Sequence, residues 1–98
     1  MNINQIKNGT ELTIGLAGRL DTTTAPELEK ALKEALDGVT ELTFDFAELA
    51  YISSAGLRVL LAAHKIMCGK GGMKVTGINE IVREVLEVTG FTDILTVE

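Results

Sequence analysis

Residues 51–61, YISSAGLRVLL, lead from a strand-like pair through two adjacent serines and a small pair into an almost wholly apolar run. An extended segment that turns through hydroxyls into a helix is half of a β–α unit. Working outward, ELTFDF (41–46) is the strand before it, with Leu42, Phe44 and Phe46 on one side and Asp45 on the other. The helix runs from about Gly56 to Cys68, GKGG (69–72) breaks it, and MKVTG (73–77) is the next short strand. Serine directly before a helix is most often a cap. The opening question is whether Ser53 and Ser54 do only that.

The flanks supply the rest of the architecture. Ile3–Ile6 reads as a short strand, Asn8-Gly9 as a hairpin turn, and Leu12, Ile14 and Leu16 as one face of the returning strand. TAPE (24–27) opens a first helix, with Thr24 as cap, Glu27 three residues on and Pro26 in the first turn. Leu28, Ala31, Leu32, Ala35 and Leu36 form its apolar stripe. Asn79 caps a third helix carrying Ile81, Val82, Val85 and Leu86, Gly90 stops it, and Ile94–Val97 is a last extended piece. Strands alternate with helices after the hairpin. The expected fold class is therefore α/β: one domain over residues 1–98, with a mixed four- to five-stranded sheet covered by about three helices. Sites in such sheets lie beyond the strand C-termini. There the chain carries GRLDTTT (18–24) and AELAYISSAG (47–56).

Composition narrows the function. A chain of 98 residues with 46% hydrophobic content suits one packed domain. A formal charge of −5 argues against nucleic acid, whose phosphates demand a basic surface. The lone Cys68 cannot form an internal disulfide, no apolar run approaches a membrane span, and MNINQIKNG lacks a signal pattern, so a cytoplasmic protein is expected.

Catalytic constellations are missing from the sequence. His64 is the single histidine, and a structural role is expected for it; Cys68 at i+4 is its one plausible metal-ligating companion, too few for a site. A triad of Ser54, His64 and Asp21 or Asp45 fails on distance, since ten helical residues separate Ser54 from His64 by about 15 Å. GKGG follows a helix instead of preceding one and is no phosphate loop. No enzyme, metal or cofactor is expected. An inert, buried thiol is expected at Cys68.

ISSAGLRVLL (52–61), the strand LTFDF (42–46), GRLDTTTAPEL (18–28) and GGMKVTGINEIVREVLEVTGF (71–91) together resemble the STAS domain family, and within it the small stand-alone anti-sigma factor antagonists of bacteria. In that family the loop usually reads Asp-Ser-Ser/Thr-Gly-Leu, and the first serine after the aspartate accepts phosphate. Carried over, Ser53 stands at the aspartate position, Ser54 is the phosphoacceptor, Ala55 is the small residue, and Gly56-Leu57 match. Ser53 for an acid is a departure; the end at Glu98, where many relatives continue into another helix, is a second. The resemblance implies partner switching. The unphosphorylated protein, a monomer when free, binds an anti-sigma factor that is itself a serine kinase; phosphorylation of Ser54 breaks the complex and a serine phosphatase restores it. The expected partner surface comprises Asp21, Thr22, Thr23, Ser53, Ser54, Ala55, Gly56, Leu57 and Arg58. Two rivals are a STAS subunit of another partner-switching or lipid-transport complex, and a nucleotide-binding domain.

Overall fold

The computed structural model describes residues 1–98. Strands β1 (Asn2–Asn8) and β2 (Glu11–Leu20) form the hairpin; α1 (Ala25–Ala35), β3 (Glu41–Ile52), α2 (Ser54–Cys68), β4 (Gly72–Thr76), α3 (Glu80–Val88), a 3-10 turn at Phe91–Asp93 and β5 (Thr96–Val97) follow. The sheet order is β1-β2-β3-β4-β5, with β1 antiparallel to β2 and every later pair parallel. Gly9, at φ 65°, takes the positive-φ corner of the two-residue loop between the paired Asn8 and Glu11. The α/β class and the upper strand count, five, are both met.

Because each parallel strand is added beside its predecessor, right-handed crossovers bring the three helices to one face. Burial follows that rule. Leu12, Ile14, Leu16, Leu42, Phe44, Phe46 and Val75 are buried on the helix side, whereas their alternates Thr13, Gly15, Thr43, Asp45, Lys74 and Thr76 reach solvent. Leu28 and Leu32 of α1, with Leu36 just beyond it, join Leu60, Ala63 and Met67 of α2 and Val82 and Leu86 of α3 in one cluster of 23 residues. Each leucine so buried contributes about 2 kcal/mol.

Strand β3 runs six residues beyond the expected Phe46, because two irregularities hide its continuation. Gly15 pairs with Asp45 but Ala17 with Glu48, and Gly18 pairs with Leu49 but Arg19 with Tyr51. Each step inserts one extra residue in β3. Its buried positions therefore run Leu42, Phe44, Phe46, Leu49, Ile52, a spacing that lengthens from two to three. The Asp45 carboxylate accepts from the Ala47 N–H at 3.0 Å and braces the first bulge. This extension carries the strand end to the serines.

Candidate functional site

Two junctions meet at the C-terminal ends of β2 and β3. Leu20 pairs with Ile52, and the Ser53 N–H donates to the Leu20 carbonyl at 2.9 Å, so one strand end is bonded to the other. Gly56, on the first turn of α2, rests on both strand ends. A Cβ there would lie 2.7 Å from Leu20 Cγ and 2.9 Å from Ile52 Cγ1, well inside contact distance. Only glycine lets the helix start this close to the sheet.

The first junction is closed by Asp21. Its Oδ1 accepts from the Thr23 hydroxyl at 2.8 Å, the Thr23 N–H at 3.0 Å and the Thr24 N–H at 3.2 Å, while its carbonyl accepts from the Ala25 N–H at 2.8 Å. The Thr23 hydroxyl, aided by the backbone N–H groups of Thr24 and Thr23 and opposed by partial desolvation, holds this carboxyl below its ordinary value of 3.8. Thr24 does not cap α1 as expected. Its backbone is already helical (φ −99°, ψ −22°), and its hydroxyl donates to the Arg19 carbonyl and accepts from the Asp21 N–H, both at 2.8 Å. The capping-box partner Glu27 is left exposed, because Asp21 reaches the same orphan donors first.

The second junction is open. Ser53 has the extended backbone of a cap residue (φ −101°, ψ 177°), but its side chain makes no capping bond and the first turn of α2 holds no acid. The Ser53 Oγ is buried without a partner in the protein. Ser54, Ala55 and Arg58 reach solvent to differing degrees, Ser54 and Arg58 most.

Leu57, expected to meet a partner, is instead core at 5% exposed, and Gly56 is buried with it. Arg58 and Lys65, seven residues apart, mark a polar strip on this otherwise apolar helix, and the exposed stripe proves to be Arg58, Ala62, Lys65 and Ile66. Thr22 and Thr23 are exposed. A groove of about 280 Å³ between α1 and α2 is lined by Thr22, Pro26 and Glu29 on one bank and Ala55, Arg58 and Ala62 on the other. Thr22, Ala55 and Arg58 thus share one surface. Arg19 and Tyr51, absent from the expected set, tie the two junctions on the other side. The Arg19 guanidinium sits 4.5 Å from the Tyr51 ring centroid, and its Nε lies 3.8 Å from the Asp21 carboxylate. Their pairing across β2 and β3 depends on the second bulge, which no sequence period reveals.

His64 and Cys68 lie on the far part of α2, with Nε2 and Sγ 3.4 Å apart. Cys68 is exposed, not buried as expected, because in the last turn of α2 it is Met67 that faces the core while Lys65, Ile66 and Cys68 face solvent. No group of three metal-ligating side chains occurs. No helix is long and apolar enough to cross a membrane.

The structure is thus a small α/β domain, with helices on one face of the sheet and a solvent-facing Ser54 at the strand ends. Known proteins place it further. A family model described as "Mlab, STAS domain" matches residues 3–96, and the chain belongs to the STAS domain family. It is 24% identical over 98 residues to the anti-sigma-B factor antagonist of Bacillus subtilis, covering 99% of this chain and 90% of that one. The Listeria monocytogenes anti-sigma-B factor antagonist is 30% identical over 90 residues, covering 89% and 78%. The fold matches the anti-sigma factor antagonist SpoIIAA, solved in its unphosphorylated form, with a TM-score of 0.86 at 18% identity, covering 99% of this chain and 88% of that one. The phosphorylated form of SpoIIAA from Bacillus gives 0.76 at 17%, covering 99% and 91%.

Proposed function

We propose that this chain is an anti-sigma factor antagonist whose unphosphorylated form binds an anti-sigma factor that is also a serine kinase, so releasing a sigma factor. The names of the relatives support the class, and the existence of SpoIIAA in phosphorylated and unphosphorylated forms supports the switch. Ser54 is the phosphoacceptor. Its oxygen takes the γ-phosphoryl group of ATP, forming an O–P bond as the bond to ADP breaks and the hydroxyl proton leaves to a base on the kinase. A serine phosphatase hydrolyses the ester. The partners place the action in the cytoplasm, and the free protein acts as a monomer.

One observation carries the choice of residue: of two adjacent hydroxyls, Ser54 is exposed and the Ser53 Oγ is not. A kinase reaches only the first. The partner's surface is expected to cover Thr22, Thr23, Ser54, Ala55 and Arg58 and the groove they border, with Asp21, Ser53, Gly56 and Leu57 shaping that surface from beneath. Phosphate adds about −1.5 to −2 charges there, on a protein already at −5. Desolvating that charge against the partner is costly, so the complex is lost.

The test is a pull-down from the native cell with wild-type and Ser54→Ala bait, followed by reaction of the retained kinase with ATP and fragment mapping. Phosphate on Ser54, absent from Ser54→Ala, is expected. Phosphate mainly on Ser53 or the threonines would sink the assignment. Retention of lipid-transport subunits in place of a kinase would favour the rival STAS role.

A further inference from the structure

The Ser53 Oγ is the one buried side-chain polar atom with no partner in the protein. It stands at the start of a 15-residue helix whose cap position makes no side-chain bond and whose first turn carries no acid. A buried hydroxyl left unpaired is destabilising, and natural proteins retain such groups rarely. Capping would have paired it, as Asn79 does for α3 by accepting from the Val82 N–H at 2.8 Å. The same backbone conformation is present at Ser53 (ψ 177°) and Asn79 (ψ 176°), yet only Asn79 uses it. The difference is a spare donor beside the exposed Ser54.

We propose that Ser53 is a positioning residue for the phosphorylated state: its hydroxyl is held unpaired in the unmodified protein and donates to the phosphate once Ser54 carries it. This rests on Ser54 being the modified residue, as proposed above. A phosphate on Ser54 brings strong acceptor oxygens within one residue of Ser53 and up to the open N–H groups of α2. A donor shielded from bulk solvent gives up little hydration when it turns to that anion, so the gain is larger than for an exposed hydroxyl. A carboxylate at position 53 would act in the opposite sense, setting like charges side by side. Ser53 thus makes the phosphorylated form the better-satisfied of the two.

The experiment uses phosphoserine introduced at position 54 during synthesis, in the wild-type background and with Ser53→Ala or Ser53→Thr. Unmodified Ser53→Ala is expected to melt at or above the wild type, because a penalty is removed and no bond is lost. Phosphoserine should raise the wild-type melting temperature by about 4 °C, should do the same with Ser53→Thr, and should give less than half that gain with Ser53→Ala. A ³¹P titration reads the contact directly. The second phosphate pKa should fall below its usual value of about 6 in the wild type and Ser53→Thr, and return toward it in Ser53→Ala. A destabilised Ser53→Ala would make Ser53 an ordinary cap, and equal gains or equal phosphate pKa values in all three would remove the contact; any of these overturns the proposal. Since no kinase is used, failure of Ser54 to be phosphorylated in the cell would sink the proposed function and leave these measurements standing.

Discussion

The two strand-to-helix junctions start from the same problem and end differently. Each must turn a parallel strand into a helix whose first N–H groups have no intrahelical partner. Between β2 and α1 the problem is solved by saturation: Asp21 accepts two backbone N–H bonds and a hydroxyl, and Thr24 both gives and receives. Between β3 and α2 it is left unsolved, with a buried hydroxyl unpaired and an exposed one beside it. In the saturated junction the backbone donors and the Asp21 carboxylate are already paired with one another, which leaves Thr22 and Thr23 exposed on a fixed loop. An unsaturated one keeps donors in reserve. On the proposed function the pair divides the labour of the site: one loop fixes the geometry and the other is the one that changes state.

The largest expected effect strikes the open junction. Phosphoserine at position 54 should weaken binding of the anti-sigma partner by about 100-fold, near 2.7 kcal/mol, while the melting temperature holds or rises. Titration calorimetry beside a melting scan checks both; loss of binding together with a large drop in melting temperature would mean that the switch works by unfolding. Next comes the contact that joins the junctions. Gly56→Val pushes two methyls into Leu20 and Ile52 and should cost about 2 kcal/mol, read as a lower urea midpoint at unchanged slope. A wild-type midpoint would show that α2 can back away from the sheet, and the two junctions would then be independent.

A smaller effect is expected from Asp21→Asn, which removes charge from the saturated loop. The folded carboxyl sits below its ordinary 3.8, so the charged form is the one folding favours. Its contribution is fully present above that pH and is lost as the pH falls through the lower folded value. The midpoint difference between wild type and Asp21→Asn should therefore be constant near neutrality and shrink in strong acid. A difference that persists unchanged at pH 2 would mean the carboxylate charge is idle. The same variant should bind the partner more weakly with its fold intact, because Thr23 and Thr24 lose the carboxylate that fixes the loop. The smallest effect belongs to unmodified Ser53→Ala, with no loss of stability; the contrast with Asp21→Asn is the sharpest single statement of the difference between the junctions.

How far the sequence discloses these regions depends on period. The hairpin was legible because Asn8-Gly9 is a turn signal with its own backbone chemistry, and α1 because its leucines keep to one stripe. ELTFDF was legible up to Phe46, where the first bulge shifts the inward phase by one residue and the alternation stops carrying information. The next six residues are strand all the same. The serines are legible by motif, and Arg58 and Lys65 mark the outer strip of α2, but the apolar residues between them do not disclose that Leu57 faces the core and Ala62 the groove. Arg19 over Tyr51 could not be paired in advance, since their register is set by the second bulge. Thr24 followed the cap rule in sequence and lost in structure to a carboxylate three residues earlier, which competes for the same donors.

The simple succession of strands, β1-β2-β3-β4-β5, also bears on how the molecule is made. No strand has to insert between two that are already paired, and each one finds its neighbour complete when it emerges from the ribosome. The hairpin needs only the first 20 residues, and every later β–α unit adds to an edge that is waiting. Domains can begin folding during synthesis, at about 5–20 residues per second. A sheet that grows outward in the order of translation can follow the ribosome strand by strand, with β5 the last to join.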